Sequence, residues 1–286
     1  MNMRTFNAYQ LKWLALITMT IDHFGVMVLE PYTNNPSIST LYLVARLIGR
    51  IAFPLFAFMI AEGVYRSRKP YFYVLRLFFM AFLIGAGMLM LREFNIQTLA
   101  GNIFIDLSMA ALAMILIKEK NWLFKPLALI PILYVIMTSL DYATPSYMRA
   151  DYGIYGLLMM MVFYLAYTPL VKWVWMRKPF SENQESNNNS RRYIFASAAL
   201  LVMHILWYIM DIVISDLMIN AQWVDKLSQY LSLFVGAQSY AIVAGYFIYR
   251  YRGEKGPSPK WFQAFSYLYY PLHFVILYGI YYLTTI

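Results

Sequence analysis

The chain has 286 residues, of which 61% are hydrophobic and 13% are charged, and it contains no cysteine. Soluble domains carry about 25% charged residues, so this composition excludes an ordinary soluble fold, and the lack of cysteine excludes disulfides and thiolate metal ligands. The net charge of +9 comes from short basic clusters between apolar runs, which is typical of membrane topology and not of nucleic-acid binding.

Apolar stretches of about 20 residues recur from end to end and predict an all-α, polytopic membrane protein. We expect about nine transmembrane helices in a single domain covering residues 1–286. A polar stretch, Ser181–Ser190, predicts a flexible loop between two of them. The predicted helices, in chain order, are 11–30, 41–64, 73–91, 102–117, 126–141, 152–171, 193–215, 229–249 and 261–283.

The distribution of basic residues predicts the orientation. With the amino terminus in the cytoplasm, 17 of the 23 basic residues lie in cytoplasmic segments and three lie in outer loops. Positive charge is retained on the cytoplasmic side of membrane proteins. The sequence therefore predicts a cytoplasmic amino terminus and, after nine crossings, a carboxyl terminus outside.

Several ionisable residues lie inside the predicted helices, where each costs about 2.5–3.5 kcal/mol by insertion scales. Such residues need partners or a water-filled cavity, which makes them candidates for a functional site. In chain order they are Asp22, His23, Arg46, Arg50, Glu62, Asp106, His204, Asp211 and His273.

Counting residues along each helix places several of these side chains at one depth. Each histidine lies eleven to thirteen residues beyond the last cytoplasmic basic residue, or about 16–20 Å from the inner boundary at 1.5 Å per residue. The second predicted helix crosses the membrane from outside to inside. Arg50 lies twelve residues before Glu62 on this helix and therefore falls at a similar depth. The sequence thus predicts one polar layer near the bilayer centre, formed by His23, His204, His273 and Arg50.

A neutral imidazole is the usual general base near pH 7, and a buried arginine can bind an anionic group or a developing oxyanion. Asp22 and His23 point about 100° apart on one helix, so Asp22 is expected to pair with Arg50. Structural roles remain open: His204 and His273 can simply bond to neighbouring helices. Arg46 and Arg50 can simply neutralise Asp22 or Asp106.

Lys12 and His23 are separated by three helical turns, so they lie on one helix face about 16 Å apart along the axis. This spacing suits a long ligand with a phosphorylated head at the membrane surface and a reactive end inside the membrane. Acetyl-coenzyme A has that shape.

Five segments carry a resemblance to a known family. "LKWLALITMTIDHFG" (Leu11–Gly25), "RLIGRIAFPLFAFMIAEGVYRSR" (Arg46–Arg68) and "YVLRLFF" (Tyr73–Phe79) are followed later by "DYGIYGLLMM" (Asp151–Met160) and "YYPLHFVIL" (Tyr269–Leu277). Together they resemble the TraX family of bacterial membrane proteins, and the resemblance covers most of the chain.

The resemblance implies a membrane-embedded acetyltransferase. The founding member of the family acetylates the amino terminus of a conjugative pilin, and the family is similar to a wider group of transmembrane acyltransferases. These take acetyl groups from cytoplasmic acetyl-CoA, and several carry Arg-x10-His on an early helix. The matching positions here are His23 and, with lysine for arginine, Lys12.

By resemblance, acetyl-CoA is the co-substrate, no metal is needed, and the acceptor is an amine or hydroxyl of an exported protein or cell-surface glycan. The expected location is the bacterial inner membrane. The expected partners include membrane lipid but no nucleic acid. The sequence leaves open whether the chain forms a homo-oligomer. We expect His23 and Asp22 to be catalytic, with His23 as the general base or as a transient acetyl carrier. The residues expected to bind the cofactor are Lys12, Arg46 and Arg50, and those expected to organise the site or bind substrate are Glu62, Asp106, Asp151 and His273.

Two other functions remain open. A secondary transporter can use a His, Asp and Arg site at the membrane midplane for a substrate or a proton. A non-catalytic assembly factor for an exported polymer can hold the same buried charges as structural pairs, in which case His23 is dispensable.

Overall fold

The computed structural model describes residues 5–93, 101–140, 143–168, 182–216 and 222–285. These parts of the chain are helical, apart from turns, loops and one isolated bridge between Phe6 and Tyr251. We number the α-helices in chain order: α1 Ala8–Phe24, α2 Pro36–Gly49, α3 Ala52–Arg66, α4 Pro70–Glu93, α5 Ile103–Lys118, α6 Leu129–Leu140, α7 Gly153–Leu165, α8 Glu182–Ser215, α9 Gln222–Ser232, α10 Val243–Tyr249 and α11 Lys260–Thr285.

Within the described residues, five helical segments are long and apolar enough to cross a membrane. A sixth is a bent pair, Trp223–Ser232 with Gly236–Tyr249, whose two parts meet at 57°. The predicted class of an all-helical, multi-pass membrane protein is confirmed at this level, while nine crossings and their orientation stay a prediction. The five are Ala8–Tyr32, Pro36–Arg66, Pro70–Glu93, Trp122–Leu140 and Arg191–Ser215.

The predicted helix 41–64 is one candidate span but not one continuous helix. α2 ends at Gly49 and α3 begins at Ala52, with a turn at residues 50–51. Pro54 lies in the first turn of α3 and has no N–H to donate to the carbonyl of Arg50, so an unbroken helix would lose this hydrogen bond. The interruption places Arg50 at a helix end inside the span.

The predicted single helix 229–249 is also wrong. α9 ends at Ser232, and a 3₁₀ segment at Gly236–Ile242 leads into α10. Gly236 has φ of +74°, a left-handed conformation that glycine adopts without steric cost. The chain therefore changes direction within this apolar stretch instead of continuing as a straight helix.

Two other boundaries differ from the prediction. Residues 182–190, predicted as part of a flexible loop, form the beginning of α8. A polar composition does not prevent a helix from extending once the following apolar residues have nucleated it. α7 ends at Leu165 and is shorter than the predicted 152–171, whose last three residues lie outside the described part of the chain.

Contacts divide the chain into two compact units. Unit 1 comprises residues 1–56, 177–204 and 234–286, and unit 2 comprises residues 57–176 and 205–233. In unit 1, α1 and the helical turns after it lie beside α11 along their length. Lys12 contacts Ser266, Thr20 contacts Tyr269, and Tyr32 donates to the carbonyl of Thr284. Because both residue numbers increase together, α1 and α11 run parallel.

In unit 2, α4 packs along α5, and α5 packs against α6 and α7. Asn102 caps the start of α5 and donates to the carbonyl of Ala81 on α4 at 2.8 Å. Tyr155 on α7 is fully buried and packs edge-on against Trp207. The core of this unit is thus apolar and aromatic around two buried carboxylates, those of Asp106 and Glu62.

Candidate functional site

The centre of unit 1 is a buried ion pair in which one carboxylate meets two guanidinium groups. Asp22 near the end of α1 contacts Arg46 at 2.8 Å and Arg50 at 3.1 Å. Arg46 lies in the last turn of α2 and Arg50 directly follows the helix, so the two arginines are one turn apart and share a face. This confirms the sequence prediction that Asp22 pairs with Arg50 and shows Arg46 on the same carboxylate.

Small residues allow α1 and α2 to approach closely enough for this pair. Gly49 lies against Asp22, and Gly25 lies against Ala45, where an added Cβ would be 3.2 Å from the alanine Cβ. Small residues at contacts between membrane helices permit such backbone approach. Gly25 also begins a π-helical segment, Gly25–Leu29, two residues after His23. Such segments often occur at functional sites.

Gln238 extends the ion pair toward a third element. Its side-chain oxygen accepts a hydrogen bond from Arg50 at 2.9 Å, and its side chain is 2% exposed. The backbone of Gln238 also contacts the ring of His204, whose Nδ1 lies 2.8 Å from the carbonyl of Leu200 on its own helix. Backbone contacts thus hold His204, as expected for a structural histidine.

His23 turns away from the ion pair and meets His273 on α11. Its Nδ1 lies 2.7 Å from Nε2 of His273, and the two rings lie edge to edge, inclined by 18° with centroids 4.9 Å apart. Nδ1 of His273 lies 2.9 Å from the carbonyl of Tyr269, one turn earlier on α11. Of the layer predicted from the three histidines and Arg50, the described contacts bring His23 and His273 together. His204 instead contacts the backbones of Leu200 and Gln238, and Arg50 contacts Asp22 and Gln238.

Lys12 lies on the same side of α1 as His23, as predicted from their spacing. Its ammonium group is 3.3 Å from the hydroxyl of Ser266 and lies 5.9 Å from the ring centre of Phe262. Both contacts are on α11, the helix that also carries His273. Lys12 therefore lies near the start of the parallel pair α1 and α11, and the paired histidines lie farther along the same two helices.

Asp106 and Asp151 belong to unit 2, where the structure gives Asp106 a complete set of backbone partners. Its carboxylate accepts from the N–H groups of Asp151 and Tyr152 at 2.7 and 3.2 Å, and from Gly153 at 2.7 Å. These groups are orphan donors at the start of α7. Asp106 thus caps α7, and this explains its burial without a substrate. Its predicted role in organising the site or binding substrate stays a prediction.

The next two N–H groups of α7 are also satisfied by side chains. Ile154 donates to the hydroxyl of Ser139 at 3.1 Å, and Tyr155 donates to the hydroxyl of Tyr230 at 2.9 Å. Tyr230 in turn donates to the carbonyl of Tyr152 at 2.7 Å. Hydrocarbon offers no water to such groups, so a helix that begins inside a membrane protein needs these substitutes.

Glu62 is buried near the end of α3 and forms a 3.0 Å ion pair with Arg66, four residues later. It belongs to unit 2, as do Asp106 and Asp151. Among the described residues, no group of three His, Asp or Glu side chains is arranged to hold a metal ion.

Sequence reasoning overlooked three residues that complete the site in unit 1. They are Gln238, which bonds to Arg50; Gly49, which makes room for Asp22; and Tyr269, whose carbonyl contacts His273. Gln238 offered a signal, since a glutamine within an apolar stretch needs a partner. The backbone roles of Gly49 and Tyr269 depend on helix contacts, so the sequence carried no signal for these two residues.

The fold and the site together define a class: a multi-pass helical membrane protein with a buried carboxylate–arginine pair beside paired histidines. The chain belongs to the TraX family, since the family model described as "TraX protein" matches residues 7–182. This range holds Lys12, Asp22, His23, both site arginines and Glu62, whereas His273 and Gln238 lie beyond it.

A curated relative is a "Probable fimbrial assembly protein FimC, serogroup H1" from Dichelobacter nodosus. The chain is 25% identical to it over 165 residues, which cover 55% of this chain and 61% of the relative. The chain thus spans less than two thirds of that protein. No solved structure resembles the chain at a significant level.

Proposed function

We propose that the protein is an acetyltransferase that moves an acetyl group from cytoplasmic acetyl-CoA to an amine or hydroxyl acceptor at or across the membrane. One observation carries the proposal: His23 is a half-buried imidazole held by a second histidine, next in sequence to a carboxylate that two arginines hold. A positioned histidine is the most common general base, and adjacent guanidinium groups stabilise anionic transition states.

Each residue of unit 1 then has a role in binding or transfer. His23 takes the proton of the acceptor, and Asp22 holds Arg46 and Arg50 in place through the ion pair. Arg46 is a quarter exposed and uses one terminal nitrogen for Asp22, so its other N–H groups can reach an anionic ligand. Lys12, near the start of α1, offers a positive charge for the phosphates of acetyl-CoA.

The parallel arrangement of α1 and α11 is relevant to the predicted membrane crossings and to the sides on which the two termini lie. If both cross the membrane, they cross in the same direction, which agrees with nine crossings, a cytoplasmic amino terminus and an outer carboxyl terminus. The bacterial inner membrane is the compartment where cytoplasmic acetyl-CoA and an exported acceptor are both within reach. The acceptor is then a protein amino terminus or a cell-surface glycan.

The direct test uses purified protein in lipid nanodiscs with acetyl-CoA. Release of free coenzyme A, by hydrolysis or transfer, is followed for the wild type, His23→Ala and His204→Ala. We expect loss of about 10²–10⁴-fold for His23→Ala, the usual contribution of a general base. His204→Ala is the matched control, since His204 is an intramembrane histidine held by backbone contacts. No acetyl-CoA turnover by the wild type, or equal rates in both variants, would refute the proposal.

A second function is favoured by the relative named as a fimbrial assembly protein. The chain would then support the assembly of an exported polymer without catalysis, with the Asp22 ion pair as a structural element. This alternative predicts that His23→Ala restores assembly in a deletion strain as well as the wild type does. A His23→Ala variant that is stable in the membrane and fails to restore assembly would count against it.

A further inference from the structure

We infer that His273 is a positioning residue: it fixes His23 as the tautomer with its proton on Nδ1, which leaves Nε2 as the nitrogen that accepts a proton. The catalytic meaning of this inference rests on the proposed acetyl transfer. The tautomer itself is a property of the resting protein and follows from two hydrogen bonds in series.

The first bond joins His273 to its own helix. Nδ1 of His273 lies 2.9 Å from the carbonyl oxygen of Tyr269. A carbonyl oxygen only accepts hydrogen bonds, so Nδ1 must carry the proton. A neutral imidazole has a single N–H, and therefore Nε2 of His273 carries a lone pair.

The second bond transmits this choice to His23. Nδ1 of His23 lies 2.7 Å from Nε2 of His273, and one of the two nitrogens must donate. Since Nε2 of His273 is the acceptor, Nδ1 of His23 is the donor. The lone pair of a neutral His23 is then on Nε2, which has no hydrogen-bond partner among the described residues.

The neighbouring aromatic rings limit the ring rotations that would reverse this order. The His23 and His273 rings are inclined by 18°, and the ring of Tyr269 lies nearly parallel to that of His273, at 9°. Phe274 packs against both imidazoles, with ring centres 4.6 and 4.3 Å away. An orientation set by such a second residue, through the nitrogen that does no chemistry, is how imidazole tautomers are usually selected.

In the transfer step, Nε2 of His23 takes the proton from the acceptor amine or hydroxyl. At the same time, the nitrogen or oxygen of the acceptor attacks the thioester carbonyl carbon. The C–S bond breaks, and the departing thiolate of coenzyme A receives the proton. The resulting products are the acetylated acceptor and free coenzyme A. While His23 is protonated, Nδ1–H continues to donate to His273, which stabilises the imidazolium.

The tautomer is measured by nitrogen NMR on protein labelled with ¹⁵N-histidine, in nanodiscs. The chain has three histidines, so His23→Gln and His204→Gln suffice to assign the signals. We expect a protonated Nδ1 and an unprotonated Nε2 for His23 in the wild type. An Nε2–H tautomer of His23 would overturn the inference, whether or not the protein transfers acetyl groups.

Two variants of His273 separate positioning from packing. In His273→Gln the amide oxygen can accept near the former Nε2, whereas His273→Leu fills the space without an acceptor. We expect the leucine variant to lose the Nδ1–H tautomer and to lower kcat about 10–100-fold, as loss of an orienting partner does. KM for acetyl-CoA should change little.

The glutamine variant should keep the tautomer and most of kcat. An unchanged tautomer in the leucine variant would contradict the inference. A glutamine variant as slow as the leucine one would also overturn it, in favour of proton transfer through His273. If wild-type protein shows the predicted tautomer but no turnover of acetyl-CoA, the proposed function fails and the positioning of His23 stands.

Discussion

Gly49 lies directly against Asp22, so that a Cβ at position 49 would overlap Cβ, Cγ and Oδ1 of the aspartate. Gly49→Ala should therefore push the carboxylate away from Arg46 and Arg50. We expect the variant to lose about 1–3 kcal/mol of stability, as overpacked cores do, and most of its acetyl-CoA turnover. Thermal unfolding in nanodiscs and the release of coenzyme A measure the two effects.

Gly279→Ala is the matched control, because position 279 is also helical and has no atom within 4 Å of an added Cβ. It should be neutral or stabilising by about 1 kcal/mol, through the better helix propensity of alanine. Equal stability and activity in the two variants would show that Gly49 does not place Asp22.

Arg50 and Arg46 should respond unequally to replacement by lysine. Arg50 donates to both Asp22 and Gln238, whereas among the described residues Arg46 has one side-chain partner, Asp22. Lysine keeps the charge but loses the planar fork that spans two partners. We expect Arg50→Lys to cost about 1.5–3 kcal/mol more than Arg46→Lys, the value of one hydrogen bond to a charged group. Unfolding midpoints in nanodiscs report the order, and a larger loss for Arg46→Lys would contradict this account.

Asp106 should matter for stability through its bonds to the start of α7. In Asp106→Asn one oxygen becomes an amide group that cannot accept, so at least one of the three N–H bonds is lost. We expect a loss of about 1.5–3 kcal/mol in thermal unfolding experiments. Asp225→Asn is the control, because Asp225 lies in the same unit and is exposed on α9. It should stay within about 0.5 kcal/mol of the wild type. Similar losses in both variants would refute the capping role.

The absence of cysteine from the sequence makes the topology directly testable. Single cysteines at Thr5 and Glu254 lie near the starts of α1 and α11, and cysteines at Asn34 and Thr284 lie near the opposite ends. All four positions are exposed. In intact cells, a membrane-impermeant thiol reagent should label the Asn34 and Thr284 variants, and should label the Thr5 and Glu254 variants only after permeabilisation. Labelling of Thr5 and Thr284 from the same side would contradict parallel crossing by α1 and α11.

The sequence was sufficient to predict contacts that depend on regular helix geometry. The three-turn spacing of Lys12 and His23 predicted one face, and both residues contact α11. Counting from the basic residues likewise brought His23 and His273 to the same depth. The 100° angle between neighbouring positions predicted that Asp22 and His23 would take different partners, and they do.

Features that depend on broken helices could not be predicted by counting. The turn at Arg50 and Ile51 and the 3₁₀ segment that carries Gln238 interrupt stretches that are continuously apolar. Periodicity and hydropathy are insensitive to such interruptions, although Pro54 and Gly236 mark them. Similarly, Asp106 is costly in a membrane helix whether it binds a substrate or caps α7, and only the contacts with residues 151–153 distinguish the two.

The most direct measurement is an experimental structure of the protein in lipid with acetyl-CoA bound. The account predicts that the thioester carbonyl carbon lies within reach of Nε2 of His23 through an acceptor group, with reacting atoms about 3–3.5 Å apart. The phosphates should lie toward Lys12. Acetyl-CoA bound with its thioester away from the His23–His273 pair, or no binding at millimolar concentration, would contradict the central claim.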